Sequence, residues 1–333
     1  MIQAKQICAC VDQLDLCSQL LREPAVSYGR LALILIDNAV ELMLHAQCEE
    51  HFLLQRPYTP EDAKKAKKAL GQRFEEKPKL ICKLGKISEL ERDFILTAHK
   101  YRSQAYHVGL LHEDIMPALA WEYHALACCL FGRLPPRALS CRFDEALSVA
   151  VKRHFGDIRT LDLAFRATSL FTRAAQSLDQ SRPERSEALP IALSRSVVGQ
   201  VKRLQDDLEF LARNNRYGLD EIAIIERLQF YRHVFGEIAP AAGLDDFAYN
   251  ASIANQLQRI HSTLSVPIKR NPCHKWLRRA EALGQVAEPL LALHKYENLL
   301  AQMAELASAV SREAGSLSTL IEMEVDHRRE RSA

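Results

Sequence analysis

The stretch that decides the fold is residues 28–54, YGRLALILIDNAVELMLHAQCEEHFLL. It contains no proline and is rich in Leu, Ala and Glu, which lose little side-chain freedom in a helix. Leu31, Ile34, Leu35, Asn38, Leu42 and His45 recur every three or four residues. That spacing predicts one long helix with these positions along its buried stripe. Asp37 and Glu41 stand one turn apart within it. The most apolar run, Leu31 to Ile36, stops at Asp37, and no stretch is expected to match the roughly 20 apolar residues that cross a bilayer. The next segment, Gln55-Arg56-Pro57-Tyr58-Thr59-Pro60, ends the helix because proline cannot continue its hydrogen-bond ladder.

Outward from this stretch the chain continues as helix. Thr59, followed by Pro60, Glu61 and Asp62, reads as an N-cap. The helix it opens is Lys-rich, with its acids first, as the helix dipole prefers. Residues Ile87 to Tyr106 predict a helix with Leu90, Phe94, Ile95 and Ala98 on its apolar face, and Gly109 reads as its terminator. A last helix of this group, about Asp114 to Phe131, carries Ile115, Leu119, Leu126 and Leu130. Gly132-Arg133-Leu134-Pro135-Pro136 then reads as punctuation. It places a boundary between a first helical domain, residues 1–137, and a second, residues 138–333.

The second part has a different pattern. Val197, Val201, Leu204, Leu208 and Leu211 alternate fours and threes, as do Leu299, Met303, Leu306 and Val310, with Leu317 and Leu320 beyond. That heptad spacing suits helical hairpins or a coiled coil. Residues 181–190, 236–243 and 267–272 read as connections. The expected fold class is therefore all-α.

Composition sets further bounds. Of 333 residues, 48% are hydrophobic and 26% charged, the balance of an ordinary globular protein. The N-terminal residues MIQAKQICACVDQLD show no apolar block of the kind that opens a signal peptide. With nine cysteines scattered along a large chain, reduced thiols and a cytoplasmic location are expected. Cys8, Cys10, Cys128 and Cys129 have no partner pair at zinc-finger spacing and read as small core residues. A net charge of +2 argues against a globally electrostatic nucleic-acid binder. Past Arg137, however, 21 arginines stand against 5 lysines. Arginine favours bidentate pairing with carboxylate or phosphate, although ordinary surface ion pairs account for the bias equally well.

Several enzyme classes lack their signatures. There is no glycine-rich phosphate loop, dinucleotide fingerprint, G-x-S-x-G elbow or H-E-x-x-H helix. One E-x-x-H pair, Glu324 to His327, stands alone, whereas a di-iron bundle needs two. No metal and no cofactor are expected.

The segment that draws attention is residues 99–109, HKYRSQAYHVG, with Arg102, four intervening residues and His107. Together with the Asp37/Glu41 helix and the helix order, it resembles the HEPN superfamily, defined by R-x4–6-H in a small helical bundle. The resemblance covers roughly the first 135 residues. Two departures stand out: Ser103 where a strongly polar residue such as Asn often follows the arginine, and Gly109 where one branch favours Tyr. The resemblance implies metal-independent endoribonuclease activity on an RNA substrate. It also implies a homodimer through the first domain that joins two motifs in one cleft. A place in toxin–antitoxin or antiviral defence systems, with an antitoxin or regulatory partner, is implied by analogy alone; no membrane partner is expected, because no apolar run reaches spanning length.

The residue chemistry agrees with that implication. A histidine titrating near neutrality can move the proton of a ribose 2′-hydroxyl, and an arginine can hold the scissile phosphate. On an ideal helix Arg102 and His107 differ by about 140°, so they converge only if the helix ends or distorts near His107. Asp37, Glu41, Ser103 and Tyr106 are candidate supporting residues. The plainer readings stay open: an ion-paired arginine, an interior histidine and an aromatic core residue in a scaffold or a ligand-binding bundle. In the second part Lys269, Arg270, Lys275 and Arg278 flank Trp276, a pattern that suits RNA phosphate contacts with base stacking or a helix start with a solvated basic face and a buried tryptophan.

Overall fold

A computed structural model describes residues 2–23, 26–54, 59–107, 112–135, 139–140, 147–156, 163–179, 187–215, 217–233 and 267–332. The protein is all-α. Its β structure among these residues is one parallel pair of two-residue strands, β1 (Ile2–Gln3) and β2 (Leu139–Ser140). Two compact units divide the chain: residues 1–192 with 286–294, and residues 193–285 with 295–333.

The first unit is built from α1 (Ala4–Leu20), α2 (Val26–Leu54), α3 (Pro60–Ala69), α4 (Glu76–Lys83), α5 (Glu89–His107), α6 (Met116–Arg133), α7 (Val149–Phe155) and α8 (Leu163–Asp179). The helix expected from residues 28–54 is α2, and it is the centre of the bundle, touching α1, α3, α4, α5 and α6. Its buried face is not the expected stripe. Ala32, Leu33, Ile36, Ala39, Val40 and Leu44 are fully buried, whereas Leu31 is 44% exposed. Asn38 lies at the surface, donating to Gln13 Oε1 at 2.8 Å. The helix is apolar on most sides, so apolarity does not select a face; small residues do, because they admit neighbours. Cys17 and Cys10 of α1 approach the carbonyls of Ala32 and Ala39, at 3.4 and 3.7 Å. At Gly29 a Cβ would lie 3.3 Å from the Pro117 backbone of α6.

Taken whole, residues Ser27–Leu53 are long and apolar enough to cross a membrane, contrary to the expectation drawn from short runs. In the fold, 56% of the most apolar window is buried inside the protein. A central helix covered on several sides is apolar for that reason.

Other local expectations hold. Thr59 is extended and accepts from the Asp62 N–H at 3.2 Å, with Pro60 opening α3. Phe94, Ile95 and Ala98 of α5 are buried, as are Ile115, Leu119, Leu126 and Leu130 at and along α6. Gly109 lies outside the described residues.

The 132–136 stretch ends α6 at Arg133, as read, but it is no boundary between the compact units. Gly132 sits in the last turn of α6, where a Cβ would come within 2.9 Å of Ala175 Cβ on α8. Phe131 packs against Phe155 of α7 and Phe171 of α8, with ring centroids 6.0 and 5.0 Å apart. The first unit consequently runs beyond residue 137 to Ala192.

The eight described cysteines are free thiols; Cys10 and Cys128 are buried as expected, but Cys8 is only half-buried and Cys129 is exposed.

The second unit contains α9 (Leu189–Asn214) from Leu193 onward, α10 (Glu221–His233), α11 (Cys273–Leu283) and α12 (Pro289–Ser332) from Lys295 onward. Both heptad rows are buried, Val197 to Leu211 on α9 and Leu299 to Val310 on α12. Asn271 ties this unit together. Its carboxamide oxygen accepts from the Cys273 N–H at 2.9 Å, and its nitrogen donates to Glu221 and Gln205.

Candidate active site

The site grows from Asp37, in the middle of α2 and 1% exposed. A carboxylate so buried needs partners, and two other helices supply them. Tyr123 of α6 donates its hydroxyl to Asp37 Oδ1 at 3.1 Å. His99 of α5 places Nδ1 2.9 Å from Asp37 Oδ2. A carboxylate only accepts, so His99 donates from Nδ1. Phe74 stacks on the imidazole at 3.9 Å with the planes 6° apart, fixing the ring.

Arg102 follows His99 by three residues and so shares its face of α5. Its Nε lies 3.6 Å from the same Asp37 Oδ2, and the side chain is 34% exposed. Nε itself is buried and makes no hydrogen bond among the described residues. At that distance the contact is an ion pair rather than a hydrogen bond. The guanidinium is thus held by a buried anion at one end while part of it reaches solvent. Burial first, and then the Asp37 carboxylate, push the Tyr123 hydroxyl well above its ordinary pKa, so it remains a donor.

The expected site residues divide accordingly. Asp37 and Arg102 meet. Glu41 pairs elsewhere, with Nζ of the buried Lys77 of α4 at 3.1 Å, and Lys77 also donates to the Gly71 carbonyl. Ser103 is half-buried, next along α5. His107 is the last described residue of α5, and the four residues after it lie outside the described residues. The side chains of His107 and Tyr106 lie outside the described residues. Sequence reasoning missed His99, Tyr123 and Phe74. Only His99 left a signal, its i, i+3 spacing to Arg102.

A second buried polar cluster lies in the same unit. Asp15 of α1 receives His154 Nε2 at 2.8 Å and Arg153 at 2.9 and 3.1 Å, while the Ser177 hydroxyl meets His154 Nδ1 at 2.9 Å. This chain ties α1, α7 and α8 together.

In the second unit Trp276 is 5% exposed and packs inward, whereas Lys269, Arg270, Lys275 and Arg278 lie at the surface. That placement matches a helix start with a solvated basic face and leaves the indole unable to stack on a base. Glu324 and His327 are both exposed on α12.

Comparison of the chain with protein-family models, curated proteins and solved structures found no match.

Proposed function

We propose that the first unit is a metal-independent endoribonuclease of the HEPN type, with Arg102 as its phosphate-binding residue. The observation that carries this reading is the shared anchor: Asp37 Oδ2 holds both His99 Nδ1 and Arg102 Nε. A cation fixed at its root and partly exposed suits an added charge on a scissile phosphate. Cleavage by 2′-hydroxyl attack needs one group to take the hydroxyl proton and another to protonate the 5′-oxygen. His107 and His99 are the proposed pair, with Asp37 orienting His99 as a carboxylate orients a catalytic imidazole. Homodimerisation through the first unit, RNA as substrate, and a toxin or antiviral role under a regulatory partner complete the proposal.

The test is cleavage of unstructured RNA by purified protein in chelator. Activity should persist and leave 2′,3′-cyclic phosphate ends. Arg102→Ala should lose on the order of 100-fold or more, as should His107→Ala, with melting temperatures close to wild type. Arg102→Lys should fail as well, because a point charge lacks the planar fork. A divalent requirement in wild type, or an Arg102→Ala/His107→Ala protein that cleaves normally, would overturn the mechanism.

A second reading has its own support. Asp37 bridges α2, α5 and α6 as a buried clamp, which is what a non-catalytic scaffold would also use. Inactive wild-type protein, with marked destabilisation by His99→Ala and Arg102→Ala, would favour that reading.

A further inference from the structure

On α6, away from Asp37, His124 and Cys128 stand four residues apart and so lie on one face. Both side chains are buried, each 1% exposed. Asp179, the last residue of α8 and an exposed one, reaches the same place. A ring nitrogen of His124, Cys128 Sγ and an Asp179 carboxylate oxygen lie within 4.8 Å of one another. Cys128 Sγ lies 3.8 Å from both His124 Nδ1 and His124 Nε2. A tetrahedral zinc ion with bonds of about 2.0 Å to nitrogen and 2.3 Å to sulfur holds adjacent donors roughly 3.5 Å apart. The 3.8 Å between Cys128 Sγ and the His124 ring nitrogens lies close to that spacing.

The imidazole is also held. His124 Nε2 lies 3.0 Å from the Leu14 carbonyl of α1. A carbonyl only accepts, so Nε2 carries the proton and Nδ1 keeps its lone pair. Donation of the remote N–H to a backbone carbonyl is how metal-binding imidazoles are oriented. The helix carrying two of the donors is packed against the helix carrying the third, through Gly132 and Ala175, and sites on packed helices hold their geometry better than sites on loops.

We infer that His124, Cys128 and Asp179 form a binding site for a borderline-soft divalent ion of the zinc class, independent of the ribonuclease reading. The mixed nitrogen, thiolate and carboxylate donors select zinc or cobalt over magnesium or calcium. Three protein donors leave the fourth tetrahedral position to water. On binding, the Sγ–H bond of Cys128 is replaced by a sulfur–metal bond and its proton passes to solvent.

The experiment uses the full chain, reduced and stripped with chelator, titrated with Co2+ and then Zn2+. One cobalt per chain should bind, with a thiolate-to-cobalt charge-transfer band and the strong visible bands of tetrahedral cobalt, and zinc should bleach both. Cys128→Ser should abolish the charge-transfer band. His124→Ala should weaken binding by more than about 100-fold, exceeding the loss seen when only an outer partner of a ligand is removed. Asp179→Asn, at an exposed position, should keep the wild-type circular dichroism and weaken binding by about tenfold or more. Absence of a cobalt band in wild type, or unchanged affinity in Asp179→Asn, overturns the site. If the buried substitutions unfold the protein, Asp179→Asn alone decides.

Discussion

The two units bury different chemistry. Among the described residues the buried polar and charged side chains are Asp15, Ser18, Asp37, Gln47, Glu50, Lys77, Glu122, His124, His154 and Ser196. All but Ser196 belong to the first unit. The second unit instead buries two aliphatic rows, Val197 to Leu211 and Leu299 to Val310. Buried polar groups cost stability unless each finds a partner, so a unit that keeps so many is organised around something other than economy of folding. Aliphatic heptads, by contrast, tolerate interchange of similar side chains. The difference teaches where to look for chemistry: in the first unit.

The largest effect should come from cutting the first unit short. Ending the chain after Arg137 removes α7 and α8, which cover Phe131 and Gly132. The fragment should lose its cooperative melting transition. A monomeric 1–137 fragment that still melts cooperatively would show that the polar bundle is self-sufficient and would move the boundary back.

Next in size are single substitutions in the two cores. Leu208, fully buried in the aliphatic row, should cost about 2–5 kcal/mol when changed to alanine, read by chemical denaturation. Asp37→Ala should cost roughly 1–3 kcal/mol, the penalty for leaving the buried Tyr123 hydroxyl unsatisfied. RNA cleavage sharpens the contrast: it should fall in Asp37→Ala and survive Leu208→Ala below the melting temperature. Loss of cleavage in both would erase the division of labour.

Gly132→Val tests the close approach of α6 and α8. The added side chain meets Ala175 Cβ, and overpacking of this kind should cost about 1–3 kcal/mol. The smallest effect belongs to Leu320→Ser on α12. That side chain is 62% exposed, and its replacement should change the chain's stability by no more than about 0.5 kcal/mol. A larger loss that depends on protein concentration would show that this end of α12 is covered by a second copy.

Legibility followed the same divide. The heptad rows of α9 and α12 were readable as far as Val310, because one apolar stripe against a polar background leaves a single choice of face; Leu320, read as continuing the second row, is exposed. So was α6, from Ile115 to Leu130. On α2 the pattern misled, since apolar residues lie on nearly every side and the face is chosen by Ala32, Ala39 and Gly29, whose smallness admits α1 and α6. Arg102 and Asp37 were readable as an ion pair, but His99 and Tyr123 join Asp37 from 62 and 86 residues away. Hydrogen bonds over such separations leave no periodicity. Gly132 shows the same limit: a glycine that ends a helix and one that seats a neighbouring helix look alike until the neighbour is in place.

The central position of α2 has a consequence for how the chain is made. A domain is synthesised from its N-terminus, so the apolar helix Ser27–Leu53 leaves the ribosome before Met116–Arg133 exists to cover it. During that interval the nascent chain displays a segment that targeting factors, which read hydropathy and length, do not distinguish from a membrane anchor. Asp37 and Glu41 are then the chain's own mark against insertion, because a carboxylate at mid-helix is costly in hydrocarbon. The residue that later anchors Arg102 thereby also helps decide in which solvent the helix comes to rest.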